Sequence, residues 1–301
     1  MKVYIVEESG FCFGVKRALN IIYRLNEEKQ GIQIYGQLIH NKTVLDKLKA
    51  KDIETINSLD QLDPRKKLII RTHGIKKDEE EQLKKEGIHY VDATCPLVKK
   101  LHHIIEKLQK KNTQIVIIGD ENHPEIIAAK SYADNVIVIN SETQAAEIKN
   151  TDHLSVLSQT TLDNDHFEKI ISLLAAKARQ IEIHNTICNA TKVRQAAVKK
   201  LAPQVDFMVV LGGKNSSNTR KLYDIALNRN KNTFFIERSS ELNDPAFRAA
   251  VKKFRTVGLT AGASTPPQEI EETRNILSNI NLSIEKETKN GKRKRNSKPN
   301  H

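Results

Sequence analysis

Three stretches decide the fold: VYIVEESGFCFGVKRALNII (residues 3–22), IHYVDATCPLVKKLHHII (88–105) and IEIHNTICNATKVRQAAVKKL (181–201). In each, a β-rich run ends at a cysteine, and the cysteine opens a stretch of helical period. Cys12, Cys95 and Cys188 therefore lie 83 and 93 residues apart in a recurring context, which marks an internal threefold repeat.

Outward from these junctions, each repeat holds two further strand-loop-helix units. The first reads IQIYGQLIHNKTVLDKL, QIVIIGDENHPEIIAAK or DFMVVLGGKNSSNTRKLYDIA. The second reads KLIIRTHGIKKDEEEQLKK, LSVLSQTTLDNDHFEKII or VGLTAGASTPPQEIEETRNIL. A short strand lies between them, clear in NVIVIN and NTFFIE and weaker around Ile53 to Ile56.

Alternating strands and helices imply parallel sheets covered on both faces, with every strand-to-helix loop at the C-terminal edge, where ligands bind. The fold class expected is α/β: three pseudo-threefold-related α/β domains with mostly parallel sheets. Their expected bounds are 1–95, carrying Cys12; 96–187, which opens after Cys95; and 188–280, which begins at Cys188. A polar, basic tail over 281–301 lacks apolar periodicity and is expected to be disordered.

Composition narrows the function. The net charge is +12, but the tail carries seven Lys/Arg against two Glu, so the folded part is only modestly basic. Aromatic residues are 5% with no Trp, which leaves little stacking surface for single-stranded nucleic acid. The basic charge suits an anionic small molecule, and no specific nucleic-acid partner is expected. No apolar run approaches the ~20 residues of a membrane helix, and no signal layout opens the chain, so a cytoplasmic location is expected. In a reducing compartment, three widely spaced cysteines are thiols or ligands and not a disulfide framework. One nucleophile would leave two of them unexplained, whereas a ligand triad uses all three. Zinc with an open site and an iron-sulfur cluster with one iron lacking a protein ligand both remain compatible with three thiolates.

The loops supply the rest. His40, His73 and His123 follow β-rich runs as LIH, RTH and ENHP, while the last repeat offers Ser216, Ser217 and Asn218 in GGKNSSN and Ser264 in AGASTP. Imidazoles, hydroxyls, amides and helix N-termini together suit phosphate oxygens. Neither the Walker loop nor GxGxxG is present, which argues against nucleotide binding. Glu125, in HPE, falls in the first turn of its helix and is a candidate proton source, with Thr160 or Thr161 of SQTT as a relay. His102 and His103 lie in a Lys-rich stretch and are read as a solvated helix face.

As a set, GFCFGV, LIHN, THGI, DATCPLV, HPE, SQTT, GGKNSSN and AGASTP closely resemble the 4-hydroxy-3-methylbut-2-enyl diphosphate reductases, across nearly all of residues 1–280. The resemblance implies a trefoil of α/β domains around one [4Fe-4S] cluster, held by Cys12, Cys95 and Cys188 with one open iron. It further implies an allylic diphosphate substrate and a ferredoxin- or flavodoxin-like electron donor. His40, His73, His123, Ser216, Ser217, Asn218 and Ser264 would enclose the substrate, with Thr160 and the proton donor Glu125 beside the departing hydroxyl. Phe13, where a smaller residue is common, and Asn122, where glycine is usual, depart from the pattern. The rival readings are a nucleic-acid-binding protein on a retired enzyme scaffold and a zinc hydrolase using the same cysteines.

Overall fold

The computed structural model describes residues 1–28, 31–111 and 113–280; the expected disordered tail lies outside the described residues. After β1 (Lys2–Ile5) and α1 (Phe13–Asn26), strands β2 (Ile32–Tyr35), β3 (Ile53–Ile56), β4 (Lys67–Ile70) and β5 (Tyr90–Asp92) accompany α2 (Lys42–Lys49) and α3 (Lys77–Lys85). Helix α4 (Pro96–Gln109) leads to β6 (Gln114–Ile118), β7 (Val136–Ile139), β8 (Thr151–Ser158) and β9 (Ala178–His184), with α5 (Pro124–Lys130), α6 (Glu142–Glu147) and α7 (Asn164–Leu174). Helix α8 (Asn189–Leu201) then precedes β10 (Phe207–Leu211), β11 (Thr233–Ile236) and β12 (Thr256–Ala261), with α9 (Ser217–Arg229), α10 (Pro245–Val251) and α11 over 267–280.

The strands form three four-stranded sheets, ordered β3-β2-β4-β5, β7-β6-β8-β9 and β11-β10-β12-β1. Every pairing is parallel. The same order recurs three times, but its fourth position is filled in the last sheet by β1, where Ile5 pairs with Leu259. The sheets are thus out of phase with the bounds 1–95, 96–187 and 188–280. Residues 1–10, expected in the first repeat, complete the sheet of the last. A short apolar strand such as VYI carries no mark of which sheet it will join, and the apolar flank of β12 accepts it. Each cysteine consequently follows the fourth strand of a sheet.

Two compact units result: residues 11–195, holding the first two sheets, and residues 1–10 together with the chain from Ala196, holding the third. Both faces of each sheet are covered. Alternate residues of β6 enter different cores, Val116 and Ile118 with Phe167 and Ile170, Ile115 and Ile117 with Leu101 and Ile105. In β10, Val209 and Leu211 likewise pack with Leu277, while Met208 and Val210 pack with Leu222. This two-sided burial is why these strands read as nearly continuous apolar runs instead of alternating ones. In every sheet the neighbouring second and third positions send their chains to opposite sides. The loops that follow them open the crevice where α/β sheets bind ligands.

Candidate functional site

Within residues 11–195 the three cysteines begin helices. Cys12 and Cys95 are the N-cap residues of α1 and α4, and Cys188 directly precedes α8. Pro96 suits the first helical position because its missing N–H would have no partner there. The backbone N–H of Cys95 donates to Thr72 O at 3.0 Å, and that of Cys188 donates to Thr160 O at 2.9 Å, so both hang from the loop after the third strand of their sheet. Arg17 on α1 donates to the carbonyls of Asp92 and Thr94 at 3.3 and 3.2 Å, tying the first cysteine helix to the second cysteine's loop.

All three thiols are free, and they are neighbours. Burial raises the Cys95 pKa, the N–H groups of Leu97 and Val98 lower it, and the proximity of Cys12 and Cys188 raises it further. A Cβ added to Gly14 would stand 2.8 Å from Cys95 Sγ and 3.9 Å from Cys12 Sγ. The glycine in GFCFGV therefore leaves room for sulfur, a role missed in the sequence although a glycine two residues past a candidate ligand was a legible signal. Three unbridged sulfurs converging on helix N-termini, which favour negative charge, suit a thiolate-bound metal group.

The histidines of the same unit also meet. Ring centroids lie 4.8 Å apart for His40 and His73, 5.7 Å for His40 and His123, and 5.4 Å for His73 and His123. His40 follows β2, His73 follows β4, and His123 caps α5 after β6. Burial depresses the pKa of all three, and Arg71, absent from the expected site, adds to the effect. His73 is pushed well down and His123 to about 4, so the rings are neutral at pH 7. His123 Nδ1 accepts from the N–H of Glu125 at 3.2 Å, which places the ring proton on Nε2 as a donor. His73 Nδ1 is buried with no hydrogen-bond partner among the described residues. Three ligand nitrogens within 4.8 Å of one another could hold a cation; three ring N–H groups could equally hold an oxyanion.

Beside them Glu125 is 2% exposed. Thr160 N donates to its Oε1 and Thr160 Oγ1 to its Oε2, each at 2.7 Å. Burial nevertheless outweighs these bonds and raises the carboxyl pKa. Burial thus makes this carboxyl harder to ionise than a solvent-facing one. Thr161 accepts from Gln159 Nε2 at 3.1 Å, whereas Thr160 is the threonine bonded to Glu125. Asn122 needs no special backbone, since the only non-glycine residues of positive φ among those described are Glu8 and Asp52.

His102 corrects the expectation of a solvated face. It is 6% exposed and stacks on Tyr132 at 4.3 Å, while His103 is exposed. Val98, Leu101, His102 and Ile105 follow the i, i+3, i+4, i+7 spacing of a buried stripe, which the neighbouring lysines obscured.

The other unit carries the remaining candidates. Ser216 caps α9 by accepting from Thr219 N at 3.4 Å, Ser217 is the first helical residue, and Asn218 is buried with Nδ2 lacking a partner among the described residues. Gly212, at φ +141°, allows the turn out of β10, where a Cβ would meet Thr265 Oγ1 at 2.7 Å. Ser264 is buried in the loop after β12. Hydroxyls, an unused amide and a helix start fit an anion.

The chain can be compared with known proteins on this basis. A family model described as LytB protein matches residues 3–278. The 4-hydroxy-3-methylbut-2-enyl diphosphate reductase of Caldanaerobacter subterraneus subsp. tengcongensis is 42% identical over 277 residues, covering 90% of this chain and 95% of that protein. The corresponding enzyme of Aquifex aeolicus is 37% identical over 283 residues, covering 92% and 96%. A solved structure of (E)-4-hydroxy-3-methyl-but-2-enyl diphosphate reductase, the terminal enzyme of the non-mevalonate pathway, is similar with a TM-score of 0.67 and 36% identity over 92% of this chain and 99% of that one. The Plasmodium falciparum reductase aligns with a TM-score of 0.87 and 30% identity over 93% and 89%.

Proposed function

The chain belongs to the LytB family, and from that premise we infer that it catalyses the reductive dehydroxylation of 4-hydroxy-3-methylbut-2-enyl diphosphate to isopentenyl and dimethylallyl diphosphate, the last step of the non-mevalonate pathway. The observation that carries the chemistry is the convergence of Cys12, Cys95 and Cys188 with a buried Glu125 tied through Thr160 to Cys188. The family implies an iron-sulfur cluster. Our reading is one [4Fe-4S] cluster per chain with the three cysteines as ligands and one iron left without a protein ligand.

When bound, such a cluster supplies single electrons and an iron open to the substrate. The residues do the rest. Glu125 holds a proton for the departing hydroxyl, and Thr160 fixes the carboxyl by two hydrogen bonds so that the proton sits at a defined place. Neutral His40, His73 and His123 donate ring N–H groups to the substrate's oxygens, and Ser216, Ser217, Asn218 and Ser264 donate to the diphosphate. Two electrons and two protons convert the C–OH into C–H and water. The carbon that receives the second proton decides which product forms. The electrons come from a ferredoxin- or flavodoxin-like carrier.

Among the described residues, no helix is long and apolar enough to cross a membrane. The test is anaerobic purification with iron, sulfide and zinc assays, followed by turnover with a chemical reductant. Four irons and four sulfides per chain, lost when any one of the cysteines becomes Ser, are expected. Stoichiometric zinc without acid-labile sulfide would overturn the reading in favour of a hydrolase.

A further inference from the structure

Neutral imidazoles can donate hydrogen bonds, but they bring no net charge to a diphosphate. A cation stands beside them. Arg71 directly follows β4, two residues before His73, and its Nε donates to Gly74 O at 3.2 Å. It also fills the turn out of β2: Gly36 has φ +73°, and a Cβ there would stand 2.7 Å from Arg71 Cδ and 2.8 Å from Cζ, so glycine admits the guanidinium. Thr72 Oγ1 ties the same two turns by donating to Leu38 O at 2.6 Å, two residues before His40. Arg71 further shares a cavity of ≈130 Å³ with Ile127 and Ala128 of α5, the helix that His123 caps. One guanidinium thus adjoins the segments that carry all three imidazoles. Arg71 is partly buried and forms no ion pair among the described residues. Glu79 lines the same cavity but acts on it only through space, its oxygens accepting from Tyr35 OH at 2.7 Å and Lys76 N at 2.9 Å. A guanidinium keeps its charge at neutral pH, and a desolvated charge without a partner is costly until an anion completes it.

We propose that Arg71 is a positioning residue for the diphosphate: it holds the His40 and His73 turns together and supplies, beside their rings, the positive charge that favours a doubly phosphorylated ligand over a singly phosphorylated one. The proposal rests on the reductase reading and adds the source of its preference for a diphosphate. Hydrogen bonds from the rings depend on where oxygens lie, whereas Coulomb attraction grows with the ligand's charge. A fixed charge set back from the ligand leaves the rings in contact with its oxygens and still acts through the low-dielectric protein between. The rings themselves register that field, since Arg71 lowers the pKa of His40, His73 and His123. Glu79, the carboxylate nearest in effect on Arg71, subtracts from it.

The experiment uses the anaerobically loaded full chain and three variants, Arg71→Met, Arg71→Lys and Glu79→Gln. Calorimetry measures the affinity for inorganic diphosphate and for inorganic phosphate, and turnover with a chemical reductant gives kcat and KM. In Arg71→Met the diphosphate Kd and the substrate KM should both rise roughly tenfold at low ionic strength, with the phosphate Kd rising less and the gap narrowing as salt screens the charge. Values of kcat should change by less than about twofold, and iron per chain should stay constant. Arg71→Lys keeps the charge without the planar fork and should remain within about threefold of wild type. Glu79→Gln removes the opposing charge and should tighten diphosphate binding about twofold. A Met variant that binds diphosphate as the wild type does, or that loses kcat at constant KM, would overturn the proposal. Equal weakening by Met and Lys would do the same, by showing that the fork holds the turns and the charge does nothing. Should Arg71→Met fail to fold, Glu79→Gln decides: tighter diphosphate binding supports the proposal, and unchanged or weaker binding sinks it. A wild-type chain without turnover would sink the reductase reading instead, and the diphosphate-binding arm would still decide the role of Arg71.

Discussion

Thr160 holds Glu125 and Cys188 at once: its hydroxyl and N–H each donate to the Glu125 carboxylate at 2.7 Å, and its carbonyl accepts from Cys188 N at 2.9 Å. The proposed proton donor and the proposed ligand are thus positioned by opposite ends of one residue, and the two roles can be separated by mutation.

Glu125→Gln keeps the shape and can still bond Thr160, but it cannot deliver a proton. Turnover should fall about 10²- to 10⁴-fold with cluster content intact. Anaerobic single-turnover kinetics with iron quantitation checks this, and a loaded Gln variant of near wild-type rate would refute the assignment.

Thr160→Val removes the hydroxyl and spares the backbone bonds to Glu125 Oε1 and from Cys188. The hydroxyl lowers the Glu125 pKa, so its loss should move the alkaline limb of the rate profile, where the donor gives up its proton, to higher pH while iron per chain stays constant. A pH-rate profile with parallel iron assays distinguishes this from simple loss of the cluster.

Gly14→Ala adds a methyl that would lie 2.8 Å from Cys95 Sγ. Alanine favours the helix by up to ~1 kcal/mol, so the apo chain should keep its circular dichroism and melting temperature or gain slightly. Iron and sulfide per chain after reconstitution should drop severalfold. Full reconstitution would show that the space beside Cys95 is not needed.

His102 gives a pH dependence of stability. Burial lowers its pKa to about 4, although Glu80, Asp92 and Glu106 oppose the shift and Lys99 adds to it. The unfolded chain therefore binds the proton first, near pH 6.5, and stability is lost as pH falls from there toward 4. His102→Phe retains stacking on Tyr132 without titrating. Urea unfolding at pH 7 and pH 5 should show the wild-type apo chain losing on the order of 2 kcal/mol more than the variant. Equal losses would remove the group from the acid response.

Much of this architecture was legible because its signals are local. The cysteine junctions and the apolar runs of β6 and β10 announce themselves within a few positions. What escaped depends on distant partners. The pairing of β1 with β12 joins residues that no window contains, and Arg71 counts only because folding brings it against three histidines. His102 was obscured by composition, although its helical spacing with Val98, Leu101 and Ile105 was present. The identity of the metal group came from family resemblance, since three thiolates alone suit more than one metal.

The pairing of β1 with β12 also sets an order of events at the ribosome. Strand β1 precedes its partner in synthesis, and on the order of 250 residues must be added before the two can meet. At ~5–20 residues per second the first strand stays unmated for some tens of seconds. Until then its exposed backbone can template wrong pairings, and closing so long a loop slows the final step of folding. Chaperone dependence at early translation times, relieved once β12 has emerged, is the kinetic signature of a chain whose first strand belongs to its last sheet.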